Sequence, residues 1–144
     1  MAAAAAAATL APVSTATAAG WRLDCTYASL PEAFWEARDA PAFRRPRVVQ
    51  ANRGLVAELG LDADRLAGDE GAAWFAGGAP PPGARPLAMA YAGHQFGHFT
   101  MLGDGRALLL GEHTAPDGRR VDIHLKGSGR TRFARGGDGR AALA

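Results

Sequence analysis

The sequence contains only one cysteine, Cys25, among its 144 residues. A single thiol excludes an internal disulfide and any zinc site that needs several cysteines, and it fits a reducing compartment. We expect Cys25 to be a small buried apolar side chain. Long apolar segments are also lacking, because no stretch approaches the roughly 20 strongly apolar residues of a membrane-spanning helix. The sequence therefore predicts neither a disulfide framework nor a transmembrane helix.

Charged residues are missing from the beginning of the chain, residues 1–20, which is rich in alanine. This segment has neither the basic start and Leu-rich centre of a secretory signal nor the arginines of a mitochondrial presequence. Aromatic and charged residues begin at Trp21. We therefore predict a disordered Ala-rich leader over residues 1–20 and one folded portion over residues 21–144, a length that suits a single domain.

Three short helices are predicted in the first half of the chain, and all three are interpreted as packing elements. The first starts at Pro31, because the N–H that proline lacks would be unpaired in a first helical turn anyway. The second is capped by Asn52 and ended by Gly60, and the third precedes Gly77 and Gly78. Their expected apolar positions are Phe34 and Trp35 in the first helix, Leu55, Val56 and Leu59 in the second, and Ala72, Ala73, Trp74 and Phe75 in the third.

Strands are predicted after Pro86, where short apolar runs alternate with Gly and Asp-Gly. The clearest pattern is a hairpin with one strand from Arg106 to Glu112, a turn at Asp117-Gly118 and a returning strand from Arg120 to Lys126. Together these elements predict an α+β fold in which short helices pack on a small antiparallel sheet. Because side chains alternate along a strand, Val121, Ile123 and Leu125 should share one face, and Asp122, His124 and Lys126 the other.

The tripeptide Asp-Gly-Arg occurs three times, and two copies also have a glycine before the aspartate. Glycines let main-chain N–H groups approach a phosphate, the arginine can add paired hydrogen bonds, and the aspartate can hold a metal ion or organise the turn. The alternative is that Asp-Gly simply forms hairpin turns. The copies are Gly103-Asp104-Gly105-Arg106, Gly137-Asp138-Gly139-Arg140 and Asp117-Gly118-Arg119.

A lysine at the end of a predicted strand precedes a flexible loop, Lys126-Gly127-Ser128-Gly129. This arrangement would direct an ammonium group at phosphate oxygens beside open backbone donors, although a Walker A loop has its lysine after the glycines. An ordinary exposed lysine is the alternative. Residues 119–140 contain seven basic and two acidic residues, so this stretch favours an anion. The phosphates of a nucleotide or a nucleic acid and an acidic protein surface are all compatible with it.

Two histidines, His94 and His98, would share one face if residues 94–98 were helical, which suggests a metal pair. Gly93 and Gly97 weaken a helix, however, and catalytic zinc normally has three protein ligands. We therefore predict no metal site here.

The order and spacing of several motifs resemble the signature blocks of the selenoprotein O (YdiU-type) family of protein adenylyltransferases. The resemblance covers about Leu23 to Ala144. The blocks that carry it are Tyr91-Ala92-Gly93-His94-Gln95-Phe96-Gly97, Leu102-Gly103-Asp104-Gly105-Arg106, Leu109-Leu110-Gly111-Glu112, Leu125-Lys126-Gly127-Ser128-Gly129 and Gly137-Asp138-Gly139-Arg140-Ala141.

This resemblance implies a protein-kinase-like fold, of which the chain would form most of the N-lobe, and transfer of AMP from ATP to Ser, Thr or Tyr hydroxyls of proteins. It implies ATP and Mg²⁺ as cofactors, proteins as partners, no nucleic acid or membrane partner, and a monomer. The expected location is the bacterial cytoplasm, or the mitochondrion in a eukaryote. Carried over by motif, the nucleotide-binding residues are Gly103, Gly105, Arg106, Lys126, Asp138 and Gly139.

The resemblance places the remaining reaction machinery beyond Ala144: a helix glutamate that pairs with Lys126, a catalytic-loop aspartate, and the magnesium ligands. We therefore expect no catalytic residue and no metal ligand among residues 1–144, and no AMP transfer by this chain alone. The pattern also departs from the family at Arg130 and Arg132, where prolines are usual, and at Ala134, where serine is usual. The loop after Lys126 should be less rigid and more basic than in the family.

Two rival interpretations remain open. A nucleic-acid-binding module could use the basic residues 119–140, although that stretch offers only Phe133 for stacking on bases. A purely structural β module would use each Asp-Gly pair as a turn and nothing more.

Overall fold

The computed structural model describes residues 19–141, and the fold is α+β, as predicted. The predicted leader lies outside the described residues except for Ala19 and Gly20. Ala19 is buried, and its carbonyl oxygen accepts a hydrogen bond of 3.2 Å from the Asp62 N–H. These two residues therefore pack with the fold.

A five-stranded antiparallel sheet and a separate two-stranded sheet contain the strands. The strand β6 has β7 along one edge, and its other edge is shared by β3, which pairs at Leu109, and β1, which pairs at Glu112 and His113. Strand β2 extends the sheet beyond β3. The strands are β1 (Leu23–Asp24), β2 (Trp35–Ala37), β3 (Leu87–Met89), β4 (Ala92–Gln95), β5 (His98–Met101), β6 (Ala107–Thr114) and β7 (Arg120–Lys126).

The predicted hairpin is present as β6 and β7, with β6 starting one residue later than expected and continuing to Thr114. Its turn lies at Asp117-Gly118, where the Gly118 N–H donates to the Ala115 carbonyl and glycine adopts a φ of 84°. Burial alternates along β7 as predicted: Val121, Ile123 and Leu125 are partly buried, while Asp122, His124 and Lys126 are exposed.

Three α-helices occur in the first half: α1 (Arg53–Glu58), α2 (Ala63–Ala67) and α3 (Asp69–Ala76). Helix α1 confirms the predicted cap, because the Asn52 side chain accepts a hydrogen bond from the Leu55 N–H. Its buried face is narrower than expected: Val56 is buried, but Leu55 is 48% exposed. Helix α3 includes the predicted residues 72–75, whereas α2, which Asp62 caps, was not predicted.

The prediction of a helix that starts at Pro31 and carries both Phe34 and Trp35 is wrong. Only a short 3₁₀ helix, Glu32–Phe34, follows Pro31, and Trp35 belongs to β2, where it pairs with Met89. Pairing with a neighbouring strand overrides the local helix signal because it satisfies the backbone groups of residues 35–37.

The main core lies between the helices and the sheet, around Trp21. Its indole ring makes edge contacts with Trp74, Phe75 and His113, at centroid distances of 6.1, 6.4 and 5.5 Å. His113 is fully buried with both ring nitrogens in hydrogen bonds, since the Arg22 N–H donates to Nδ1 and Nε2 contacts the Leu59 carbonyl at 2.9 Å. A carbonyl can only accept, so Nε2 carries the proton.

Cys25 lies in a second, smaller core with Leu87 and Leu109, as a buried side chain of the predicted kind. Burial raises the pKa of its thiol. Between Ala19 and Ala141 no helix is long and apolar enough to cross a membrane.

Candidate functional site

One cleft of about 600 Å³ lies at the end of the β6–β7 hairpin, where β6 begins and β7 finishes. All six residues that the resemblance implies as nucleotide-binding line it. These residues are Gly103, Gly105, Arg106, Lys126, Asp138 and Gly139.

Arg106 and Lys126 lie next to each other at the floor of the cleft. Lys126 is the last residue of β7 and pairs with Ala107 of β6. The chain then closes on itself, because the N–H groups of Gly127 and Ser128 donate to the Arg106 carbonyl at 2.7 and 3.3 Å. The polar face of β7 therefore carries the Lys126 side chain to the same cleft as the glycine turn that precedes Arg106.

The glycine turn Gly103–Gly105 is fastened to β3 by the aspartate between its glycines. Asp104 is only 6% exposed; its N–H donates to the Met89 carbonyl at 2.8 Å, and its Oδ2 accepts from the Met89 N–H at 3.0 Å. The Thr131 hydroxyl donates to the Asp104 carbonyl. Asp104 therefore organises the turn, which was one of the two roles left open from the sequence.

Burial raises the pKa of Asp104, and the Met89 N–H and the nearby His124 oppose that rise. The charge of Asp104 also affects two tyrosines. The pKa of Tyr27 and of Tyr91 is raised by burial and, to a lesser degree, by the negative charge of Asp104.

Gly103 has a conformation and a packing that only glycine allows. Its φ is 141°, and a Cβ atom there would lie 2.7 Å from Cγ of Phe133 and 2.9 Å from the Met89 carbonyl oxygen. The aromatic ring thus packs directly on the turn and connects it to the loop after β7.

The opposite wall is formed by the second Gly-Asp-Gly copy, which pairs with the loop after Lys126. Ser128 and Arg140 form an isolated antiparallel bridge, and the Gly129 N–H donates to the Gly139 carbonyl at 3.1 Å. The Asp138 carboxylate accepts from the Arg140 N–H at 2.9 Å and shapes the turn. This pairing carries residues 138–140 to the cleft.

The prediction that the loop after Lys126 offers open backbone N–H donors is wrong. The N–H groups of Gly127, Ser128 and Gly129 all donate to carbonyls of the protein, at Arg106 and Gly139. Across the described part of the chain, by contrast, no acceptor takes a hydrogen bond from the backbone N–H groups of residues 135–139. The backbone donors that remain for an anion therefore include those of this second loop.

Four cationic side chains line the cleft, and none of them forms an ion pair with any residue from Ala19 to Ala141. The exposed Asp138 is the acidic residue that faces them, since Asp104 is turned inward. Unpaired cations that converge on one concavity create a positive potential that attracts anions. They are Arg106, Lys126, Arg135 and Arg140.

The basic stretch 119–140 does not form one continuous surface. Arg119 pairs with Glu58 and Asp117, and Arg120 pairs with Glu112, at the far end of the hairpin. The third Asp-Gly copy lies there too. For Asp117, therefore, the turn interpretation is the correct one.

Of the three positions at which the sequence was expected to depart from the family pattern, Ala134 lines the cleft, whereas Arg130 and Arg132 lie outside its lining. Arg132 donates its backbone N–H to the Glu36 carboxylate at 2.8 Å, and its guanidinium contacts the Glu32 and Ala33 carbonyls at 3.2 Å. These contacts connect the loop after Lys126 to the segment that enters β2. Arg130 is exposed.

The segment around the two histidines forms a hairpin, β4–β5, and not a helix. His94 pairs with Phe99 and Gln95 pairs with His98, so the two imidazoles lie on opposite faces. Within residues 19–141 no group of three His, Cys, Asp or Glu side chains could hold a metal ion. Residues Phe96 and Gly97 make the turn with φ of 56° and 79°.

Sequence reasoning assigned no role to several further cleft residues, some of which this hairpin supplies. Tyr91, Gln95 and Met101 line the cleft, and so does Arg135 from the loop that follows Phe133. Gly97 at the second position of a two-residue turn was the signal that could have revealed the hairpin.

Comparison with known proteins finds the SelO family and its YdiU members. The family model described as Protein adenylyltransferase SelO matches residues 21–144. The chain is 60% identical over 125 residues to the protein nucleotidyltransferase YdiU of Anoxybacillus flavithermus, covering 87% of this chain and 26% of that protein. The YdiU proteins of Geobacillus kaustophilus (58% over 125 residues, covering 87% and 26%) and Nitrosococcus oceani (57% over 124 residues, covering 86% and 25%) are similar. The chain thus spans about a quarter of the length of the curated relatives it matches.

Proposed function

Since the chain belongs to the SelO family of protein adenylyltransferases, we propose that its cleft binds the phosphate groups of ATP. The observation that carries this proposal is the convergence of the Gly103–Gly105 turn, Arg106 and Lys126 on one cleft whose cations form no ion pair with any residue between Ala19 and Ala141. Group transfer to and from phosphates depends mainly on positioning and on neutralising charge. The cleft supplies both.

We propose distinct tasks for the two walls. Arg106 can give two parallel hydrogen bonds to phosphate oxygens, and Lys126 adds a compact positive charge beside it. The turn Gly103–Gly105 brings the backbone close to the nucleotide because it has no Cβ at either glycine. Asp138 and Gly139 contact the nucleotide from the opposite wall.

For the whole family protein, we propose that an acceptor hydroxyl of Ser, Thr or Tyr attacks the α-phosphate of ATP, so that AMP is transferred and pyrophosphate leaves. Magnesium would neutralise phosphate charge when bound. The described residues offer no set of ligands that fits this ion, so we assign it no ligand between Ala19 and Ala141. The relatives are named as nucleotidyltransferases, which supports the class of reaction.

We also propose that residues 21–144 form most of the N-lobe of a kinase-like fold, in a monomeric protein that acts on other proteins. A small antiparallel sheet with a strand-end lysine facing a glycine turn supports this arrangement.

Titration of the 144-residue chain with ATP, followed by NMR chemical shifts, tests the binding proposal. The affinity should be weak, on the order of millimolar, because a two-lobed cleft would supply contacts from both sides. Arg106→Ala and Lys126→Ala should each weaken binding about tenfold, which corresponds to the loss of one charge-assisted hydrogen bond.

The matched control is Arg130→Ala, which removes the same charge from an exposed site outside the cleft lining. Its affinity should equal that of the wild type. Equal affinities for all three variants would refute the proposal. Salt-dependent binding of single-stranded DNA that Lys126→Ala leaves unchanged would instead favour a nucleic-acid module.

A further inference from the structure

Arg135 contacts both the cleft and the tip of the β4–β5 hairpin. Its side chain lines the cleft, and its Nη2 donates to the Gln95 side-chain oxygen at 3.4 Å. The guanidinium carbon lies 5.7 Å from the centroid of the Phe96 ring. Arg135 was not among the residues marked by the family motifs, so the structure gives it a position that the sequence did not.

The hairpin itself has little support from the main sheet. Strands β4 and β5 pair with each other and form a sheet of their own. A two-stranded hairpin alone is at best marginally stable in water. Its tip is also exposed, because Phe96 and Phe99 have 74% and 73% of their surface accessible. The contacts of Arg135 with Gln95 and Phe96 should therefore limit the motion of this tip.

A guanidinium group can serve two partners at the same time. Its flat face stacks on an aromatic ring, while the N–H groups at its edge remain in the plane and can bind two phosphate oxygens. The Arg135 guanidinium lies over the Phe96 ring and donates one N–H to Gln95. The single hydrogen bond to Gln95 is long, and no carboxylate within residues 19–141 competes for the other edge groups.

We infer that Arg135 is a phosphate-binding residue of the cleft and that, through Phe96, it holds the β4–β5 hairpin over a bound nucleotide. This inference rests on the proposed function. The loop 135–139, which begins with Arg135 itself, supports this inference. Its backbone N–H groups have no acceptor among the described residues and could also bind the phosphate. A bound phosphate would thus fix the loop and the hairpin together.

Hydrogen–deuterium exchange of the 144-residue chain, with and without ATP, measures the hairpin directly. In the wild type, saturation with ATP should slow exchange of residues 92–101 several-fold. Arg135→Ala should weaken ATP binding about tenfold. When the ATP concentration is raised to give equal occupancy, the hairpin of this variant should show no slowing.

A second variant separates binding from coupling. Phe96→Leu keeps every charge but removes the ring, so ATP affinity should change less than about twofold while the ATP-dependent slowing of the hairpin disappears. Arg130→Ala should behave as the wild type in both measurements. Thermal unfolding of each variant shows whether the rest of the fold is intact.

The outcomes distinguish this inference from the proposal beneath it. If ATP binds and Lys126→Ala weakens binding, but Arg135→Ala matches Arg130→Ala in affinity and exchange, the inference fails and the proposed function stands. If the wild-type chain binds no ATP, both fail. Weakened binding by Arg135→Ala together with loss of hairpin slowing supports the inference.

Discussion

Gly139 lies so close to Gly129 that a Cβ atom on Gly139 would be 2.3 Å from the Gly129 carbonyl oxygen. This contact joins the loop after Lys126 to the second Gly-Asp-Gly loop, which forms one wall of the cleft. It also requires a φ of 72° at Gly139, which is a left-handed conformation that favours glycine.

Gly139→Ala should therefore push the second Gly-Asp-Gly loop away from the loop after Lys126. Gly136 is a matched control, because its φ is 88° but a Cβ atom there would meet nothing within 4 Å. Gly136→Ala should cost about 1–2 kcal/mol from backbone strain alone, whereas Gly139→Ala should cost a further ~1–3 kcal/mol from the clash. Chemical denaturation measures both. Equal losses in the two variants would contradict the close contact.

Asp104→Asn should alter how stability depends on pH. Burial raises the pKa of Asp104 in the folded state, so the folded chain holds this proton more tightly than the unfolded chain does. The free energy of unfolding therefore falls as the pH rises from the ordinary value of 3.8 through the raised pKa. Asparagine cannot ionise and can still accept a hydrogen bond from the Met89 N–H.

Melting temperatures of the wild type and Asp104→Asn at pH 4 and pH 7 provide the check. Relative to the wild type, the variant should gain stability on going from pH 4 to pH 7. A difference between the two proteins that stays constant over this range would show that Asp104 has an ordinary pKa. Comparison at each pH cancels the contributions of other groups, such as Asp117, whose pKa its partner Arg119 lowers.

Glu112→Ala should destabilise the fold by about 2–3 kcal/mol, because it leaves several donors without their acceptor. The Glu112 side chain is largely buried; it accepts hydrogen bonds from the Thr26 N–H and hydroxyl and pairs with Arg120. Glu58→Ala removes the partner of Arg119, where both side chains are 55% exposed, and should cost less than about 1 kcal/mol. Urea denaturation of both variants compares them; similar losses would argue against the buried role of Glu112.

Trp21→Ala should cost about 3–5 kcal/mol, the usual range for deleting a buried aromatic ring. Trp21 is 2% exposed and packs against the rings of Trp74, Phe75 and His113, whereas the control Phe34 is 48% exposed. Phe34→Ala should change stability by about 0.5 kcal/mol or less. A comparably small loss for Trp21→Ala would mean that the main core does not depend on this residue.

Elements set by local sequence could be predicted, and those set by long-range pairing could not. The β6–β7 hairpin follows from alternating side chains and an Asp-Gly turn, and the cap of α1 follows from Asn52. The pairing of β1 with β6 joins residues about ninety positions apart, so no local pattern indicates it. Trp35 enters a strand for the same reason.

The β4–β5 hairpin was missed because its turn starts with Phe96, a residue that rarely adopts a positive φ. Helix α2 was missed because it has only five residues, too few to show a helical period.

The site residues were predicted from the family motifs, and the structure brings all six to one cleft. Their geometry could not be predicted from spacing. The loop after Lys126 looked like a source of free donors, but its N–H groups bind the Arg106 and Gly139 carbonyls. The N–H groups of residues 135–139, by contrast, have no acceptor among the described residues. The sequence could not indicate this difference, because it depends on which segments of the chain pair in the fold.

The bridge between Ser128 and Arg140 can form only after Arg140 has been synthesised, which is later than the last strand of the main sheet. Once Lys126 has left the ribosome, every strand of the main sheet is available. The second wall of the cleft needs a further stretch up to Arg140 before it can close. A nascent chain would therefore have every strand of its scaffold before it has the residues of the second wall.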